Sequence, residues 1–238
     1  MDVLDIRDLV SAATHGLALL VAIPASALMI QRATGEPPRR LSLAIYGFGL
    51  AACLASSAAY HALLGLGRPS QTASTIDHIA IFLLIAGTYT PIAATLLPTG
   101  QRRAILAAVW LAVAVGVFLN LLEGPLPTYV STTFYLAMGW GGLWFYIGAR
   151  SRLSRRELGL IPLGGVLYSV GAILNVARWP LLWPGVFGSH ELFHLFVVAG
   201  ATAHFVFLWR YVASPPRGGP LSPTQARTAK HSVACDVS

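Results

Sequence analysis

The sequence predicts an all-α, polytopic membrane protein that crosses the bilayer seven times. Hydrophobic residues make up 55% of the 238-residue chain and charged residues only 11%, whereas soluble domains carry about 25% charged residues. Seven apolar stretches reach or approach the roughly 20 residues that a helix needs to cross about 30 Å of hydrocarbon. A soluble fold of this size could not cover its surface with so few charges, so lipid must be the solvent for much of the chain.

The first three predicted spans are residues 11–31, 41–64 and 76–97. An acidic start precedes the first span, whereas a secretory signal peptide begins with basic residues, so we expect this span to be retained as a helix. Pro37 and Pro38 lie in the break before the second span, and a segment rich in glycine, proline and serine precedes the third. These residue types favour turns, which supports the predicted boundaries.

The last four predicted spans are residues 103–122, 128–149, 158–177 and 187–212. Pro162, Gly164 and Gly165 make the sixth the weakest, although lipid-embedded helices tolerate such residues where neighbouring helices satisfy the freed backbone groups. Residues 1–212 are therefore predicted to form one membrane domain. Residues 213–238 are rich in proline, glycine, serine and threonine, and this composition predicts a disordered, basic C-terminal tail.

The net charge of +7 indicates membrane topology rather than a nucleic-acid partner, because the basic residues lie in the short breaks and the tail. Three of them, Arg7, Arg68 and Arg178, fall on the side of the N-terminus, and the other thirteen fall on the opposite side. The positive-inside rule places the richer side in the cytoplasm. The chain has 15 arginines and one lysine, a bias typical of a GC-rich bacterial genome. We therefore expect an inner-membrane protein with its N-terminus outside and its C-terminus in the cytoplasm.

A group of ionisable residues falls at one depth in the predicted membrane. His61 lies late in the second span, Asp77 at the start of the third, and His190 and His194 at the start of the seventh. Because successive spans alternate in direction, all four reach the same side of the membrane. Three histidines suit zinc, since catalytic zinc sites use three protein ligands and one open position. Ser57 precedes His61 by one helical turn and shares its face.

Each residue also has a simpler explanation. A pair of histidines four residues apart is common on helices, Asp77 could cap the third helix, and His61 could bond a loop carbonyl. Their joint placement on one face favours the metal site.

The other buried ionisable residues are predicted to lie outside the metal site. His78 and Glu191 are direct sequence neighbours of site residues and so point to other sides of their helices. His204 lies about 15 Å further into the membrane than His194, at about 1.5 Å per residue. His15 begins the first span on the side of the site, and we interpret it as a supporting group.

Five sequence strings carry a resemblance to a known family. They are THG at 14–16, SAAYH at 57–61, DHIAIFLLIAGTYTP at 77–91, AMGW at 137–140, and HELFH at 190–194 with a later His204. Over residues 11–210 the chain resembles the haemolysin III family, the bacterial branch of the progestin and adipoQ receptor family. The resemblance implies a seven-helix fold, unrelated to G-protein-coupled receptors, with an intramembrane zinc. The family's zinc ligands fall on His61, His190 and His194, its aspartate on Asp77 and its serine on Ser57.

The same resemblance implies a chemistry, because the wider superfamily includes alkaline ceramidases. A zinc-dependent hydrolase would cleave an amide or ester of a membrane lipid, with Asp77 transferring the proton and Ser57 stabilising the oxyanion. One alternative is a non-enzymatic membrane sensor or homeostasis protein in which zinc is structural. Another is the cytolytic role of the family name, although the sequence has no pore-forming pattern. The adipoQ receptors also have the opposite orientation to the one that the charges of this chain predict.

Overall fold

The computed structural model describes residues 5–34, 36–150 and 153–213. Within these ranges the chain folds into nine helices, and its one β-bridge is isolated. Residues 214–238 of the predicted disordered tail lie outside the described residues. The helices are α1 (Ile6–Arg32), α2 (Pro37–Gly65), α3 (Gln71–Leu96), α4 (Thr99–Glu123), α5 (Thr128–Trp140), α6 (Leu143–Ala149), α7 (Arg155–Leu158), α8 (Leu160–Ala177) and α9 (Ser189–Tyr211).

The fold is a polytopic helical membrane protein, which confirms the predicted fold class. Six helical segments of the described chain are long and apolar enough to cross a membrane: α1, α2, α3, α4, the α7–α8 segment Arg155–Ala177, and α9. The fifth predicted span, 128–149, is divided into α5 and α6 at Gly141 and Gly142. Two successive glycines weaken a helix because glycine loses more backbone conformational entropy than other residues when it becomes helical. The Tyr89 hydroxyl donates to the Met138 and Gly139 carbonyls just before this break.

Small residues allow neighbouring helices to approach closely. A Cβ atom at Gly49 on α2 would lie 2.7 Å from the Leu83 carbonyl oxygen on α3. Similarly, a Cβ atom at Gly171 on α8 would lie 2.5 Å from the Cβ atom of Phe196 on α9. Such contacts are typical of membrane helices, whose association depends on close packing because lipid is as apolar as the side chains.

Large apolar side chains cover the outer surface of the bundle, and its interior holds buried polar residues beside an apolar core, as expected for a protein dissolved in lipid. Leu20 and Leu111 are 70% and 66% exposed, whereas Asp77 is 9% and His194 is 2% exposed. The Asp5 amide donates to the Gly65 carbonyl at 3.0 Å, so the start of α1 and the end of α2 lie at the same end of the bundle. We call this the N-terminal end; α3, α5 and α9 begin there and α8 finishes there.

Candidate metal centre

Three histidines converge at the N-terminal end of the bundle. His61 lies one turn before α2 finishes, and His190 and His194 occupy the first two turns of α9. One ring nitrogen from each lies within 4.8 Å of the others, and among the described residues these three form the group suited to a metal ion. His61 and His194 are buried and His190 is half-buried. The three residues predicted as metal ligands are therefore brought together.

Hydrogen bonds on the far side of two rings orient them towards each other. His61 Nδ1 lies 2.7 Å from Asp8 Oδ1, and His190 Nδ1 lies 3.1 Å from Asn175 Oδ1. A carboxylate and an amide oxygen accept protons, so both imidazoles carry their proton on Nδ1. Their Nε2 atoms, which lie 3.2 Å apart, are left as two facing lone pairs.

Facing lone pairs at this distance repel unless a proton or a metal ion lies between them. Tetrahedral zinc with Zn–N distances of about 2.0–2.1 Å separates neighbouring ligand nitrogens by roughly 3.3 Å. The observed 3.2 Å between His61 and His190 matches this spacing. Ligating histidines in metalloproteins also usually donate their other ring N–H to a carboxylate or carbonyl. The side chains present therefore fit a metal ion held by imidazole.

Asp77 lines the same cavity as the three histidines but is not part of their group. It is two turns inside α3, whose N-cap is Ser70, with a side chain that accepts from the Ala73 amide at 3.2 Å. Ser70 therefore caps α3, and Asp77 does not. The Ser56 hydroxyl donates to the Asp77 carboxylate at 3.4 Å, and Ser57 is a second hydrogen-bonding neighbour of the same group.

The ionisable residues set aside in the sequence have partners elsewhere. His78 Nδ1 lies 2.8 Å from the Ser74 carbonyl, one turn back along α3. His204 Nε2 lies 3.1 Å from the Ile161 carbonyl on α8. Each therefore uses a ring nitrogen for backbone contact rather than for the three-histidine group.

Glu191 closes the first turn of α9. Its carboxylate accepts from the Gly188 amide at 2.6 Å and lies 3.5 Å from Arg7 Nε, and the side chain is 2% exposed. A carboxylate at a helix N-terminus is favoured by the free amides and the helix dipole. The Glu191 carboxylate is thus held by Gly188 and Arg7 and is not part of the three-histidine group.

His15 packs directly on the centre, in agreement with its interpretation as a supporting group. Its ring stacks on that of His194, with 4.0 Å between the centroids and 20° between the planes. It is 3% exposed, and neither of its ring nitrogens has a hydrogen-bond partner among the described residues.

The sequence analysis did not predict the role of two residues that orient the histidines. Asp8 was part of an acidic start, although it lies two turns before His15 and therefore on the same side of α1. Asn175 lies at the end of α8 that reaches the N-terminal end, at the depth of His190. Both were detectable only as polar residues at the depth of the site.

A cavity of about 1000 Å³ extends from the histidines into the bundle. Ser57, His61, Asp77 and His194 line it at the N-terminal end. Along α3 its lining continues to Ile92, which at 1.5 Å per residue is about 22 Å from Asp77. Most of this length is apolar, with the side chains of Ile81, Leu84, Ile85, Leu136, Ile161 and Val197. Such a cavity suits an extended hydrocarbon chain.

Comparison with known proteins agrees with this architecture. A sequence model described as Haemolysin-III related matches residues 6–205. The chain belongs to the haemolysin III family. It is 30% identical to the Hemolysin-3 homolog of Bacillus subtilis (strain 168), over 88% of this chain and 96% of that one. It is 25% identical to the human monocyte to macrophage differentiation factor, over 85% and 83% of the two chains.

A further relative connects this chain to the adipoQ receptors. The chain is 27% identical to the adiponectin receptor protein of Drosophila melanogaster, over 81% of this chain and 48% of the receptor. The match thus extends to the wider progestin and adipoQ receptor family, as the sequence strings at 57–61, 77–91 and 190–194 indicated.

Proposed function

We propose that this haemolysin III protein is a zinc-dependent hydrolase that cleaves an amide or ester bond of a membrane lipid. The observation that carries the proposal is the pair of facing Nε2 atoms of His61 and His190, 3.2 Å apart at the end of a long apolar cavity. The group contains three ligand side chains among the described residues. Three ligands are typical of a catalytic zinc, whereas structural zinc usually has four.

His61, His190 and His194 would hold the zinc. When bound, the metal would supply a Lewis acid and lower the pKa of its water towards neutrality. Imidazole ligands also suit copper, nickel and iron, and zinc is proposed because hydrolysis needs no redox change.

The remaining polar residues have roles that follow from their contacts. Asp77 is anchored by Ser56 at 3.4 Å and faces the cavity, where it would accept a proton from the attacking water and donate it to the leaving amine or alcohol. Ser57 is 3% exposed and lines the same end of the cavity, where its hydroxyl would donate to the carbonyl oxygen as negative charge develops. The apolar walls would hold the acyl chain and exclude bulk water.

The test combines metal analysis with lipid hydrolysis on detergent-purified protein. We expect one zinc per chain and release of fatty acid from an N-acyl sphingoid or a glycerolipid ester. Asp77→Asn should keep the zinc and lose hydrolysis, because the carboxylate lines the cavity but is not part of the three-histidine group. Loss of zinc from Asp77→Asn as complete as that from His194→Ala would show that Asp77 is a ligand. Zinc binding without hydrolysis of either lipid class would favour the sensor with structural zinc.

A further inference from the structure

The connection between α8 and α9 exposes an unusual number of large apolar side chains. Four of its residues, Trp179, Leu181, Leu182 and Trp183, are between 59% and 67% exposed. No charged residue occurs between Trp179 and Ser189 in the sequence. Connections that face water are normally polar, and a contiguous exposed apolar patch usually marks a surface that contacts a membrane or another protein.

Backbone hydrogen bonds order this connection at its start and in its middle. At its start, the Arg178 amide donates to the Asn175 carbonyl at 3.1 Å. In its middle, Trp183 and Phe187 exchange two backbone hydrogen bonds of 2.8 and 2.9 Å. Gly185 between them has a φ of 76°, which favours glycine and closes the turn. The exposed side chains therefore lie between the end of α8 and a hydrogen-bonded turn at 183–187, and Trp183 is the first residue of that turn.

The position and the composition of the connection together indicate which medium covers it. Like the α2–α3 connection, it lies beyond the ends of two membrane-spanning segments, close to the level where hydrocarbon meets headgroups. The α2–α3 connection contains Arg68 and Ser70, whereas residues 179–188 carry no charge, so this connection favours the lipid side of that level. Tyr129, in the first turn of α5 at the same end of the bundle, is 66% exposed. Tryptophan and tyrosine are enriched at this level because their rings are both apolar and hydrogen-bonding. Arg178, exposed beside Trp179, is placed to meet lipid phosphates.

We infer that residues 179–183 insert into the interfacial layer of the leaflet at the N-terminal end, with their side chains among lipid headgroups and upper acyl chains. The covering partner is thus the lipid surface and not a second protein. Pro180 and Leu181 also line the cavity that contains the histidines. The inserted residues 179–183 therefore place the cavity entrance within that leaflet, whatever ligand the cavity takes. The inference does not depend on hydrolysis.

Nitroxide labels on single cysteines test this placement in the full-length protein. Cys235 is replaced by serine, the buried Cys53 is retained, and the protein is reconstituted into vesicles of phosphatidylcholine and phosphatidylglycerol. Cysteines are introduced singly at Trp179 and Leu182, both exposed, so neither change removes a buried side chain. Collisions with oxygen, which concentrates in lipid, are compared with collisions with a water-soluble nickel chelate, and the parent protein gives the background.

Two matched positions calibrate the measurement. Arg68→Cys lies in the exposed α2–α3 connection at the same end of the bundle and should report water. Leu20→Cys lies midway along α1, is 70% exposed and should report hydrocarbon.

We expect the labels at 179 and 182 to have an oxygen-to-nickel ratio several-fold above that at 68 and below that at 20. A ratio equal to that at position 68 would overturn the inference, because residues 179–183 would then lie in water. Low accessibility to both reagents would also overturn it, because these residues would then be covered by protein.

Discussion

Removing the Asp8 carboxylate should weaken metal binding although Asp8 is not a ligand. Its Oδ1 atom lies 2.7 Å from His61 Nδ1, and its side chain is only 18% exposed. This contact holds the proton on Nδ1, leaves Nε2 as a lone pair towards the metal, and adds negative charge behind the ring. Both effects raise the affinity of His61 for a cation.

The size of the effect follows from the type of hydrogen bond. A bond to a charged group contributes about 1.5–3 kcal/mol, and a neutral one about 0.5–1.5 kcal/mol. Asp8→Asn can keep a neutral bond through its amide oxygen, so the loss is about 1 kcal/mol, or roughly fivefold in zinc affinity. Asp8→Ala removes the partner altogether, and loss of such a partner typically weakens metal binding by about 10- to 100-fold.

Competition with a chromophoric chelator measures these affinities in detergent. Asp5→Asn is the matched control, because Asp5 is an exposed acid one turn earlier that caps α1 by accepting from the Arg7 amide at 2.9 Å. It should bind zinc as the parent does. If Asp8→Ala binds zinc as tightly as Asp5→Asn, the role assigned to Asp8 is wrong.

Four further predictions follow from the structure. His194→Ala should lose most of its zinc by metal analysis, since two histidines remain. Glu191→Gln should retain zinc per folded chain, because its carboxylate caps α9; metal loss at normal expression would contradict this. Gly49→Ala should destabilise the protein by about 1–3 kcal/mol through overpacking, which would lower its unfolding midpoint in detergent, because the new Cβ would lie 2.7 Å from the Leu83 carbonyl oxygen. Gly139→Ala is the control, because a Cβ there meets open space and should leave the midpoint unchanged. A fluorescent protein fused after Tyr211 should fluoresce, because the proposed orientation places the C-terminus in the cytoplasm. An active alkaline phosphatase fusion at the same point would show that the orientation is the opposite one.

The membrane fold was predictable because lipid imposes a simple rule on sequence. Each span must be long and apolar, so the boundaries of α1 to α4 and α9 follow from hydropathy with differences of a few residues. The division of the fifth span was not predictable in this way. Gly141 and Gly142 lie within an uninterrupted apolar stretch, and hydropathy does not distinguish a continuous helix from two short ones.

The convergence of the three histidines was predictable for a different reason. Alternating span direction fixes the depth of a residue, and the four-residue spacing of His190 and His194 fixes their shared face. Asp8 and Asn175 lacked both signals, since each is a single polar residue near a helix end. Whether such a side chain meets a ligand depends on how α1 and α8 are rotated about their axes, and packing between helices determines that rotation.

The distribution of polar groups along the membrane normal limits which bond the proposed enzyme cleaves. Asp8, His61 and His190 lie within about one turn of a helix end, where burying an ionisable group costs less than at the bilayer centre. The cavity then continues inward for about 22 Å between mainly apolar walls. A lipid whose chain fills this length would place the first polar atoms of the chain against the histidines. On the proposed function, the cleaved bond is therefore the one that joins an acyl chain to its headgroup, since a bond within the chain would lie beyond the reach of Asp77 and Ser57.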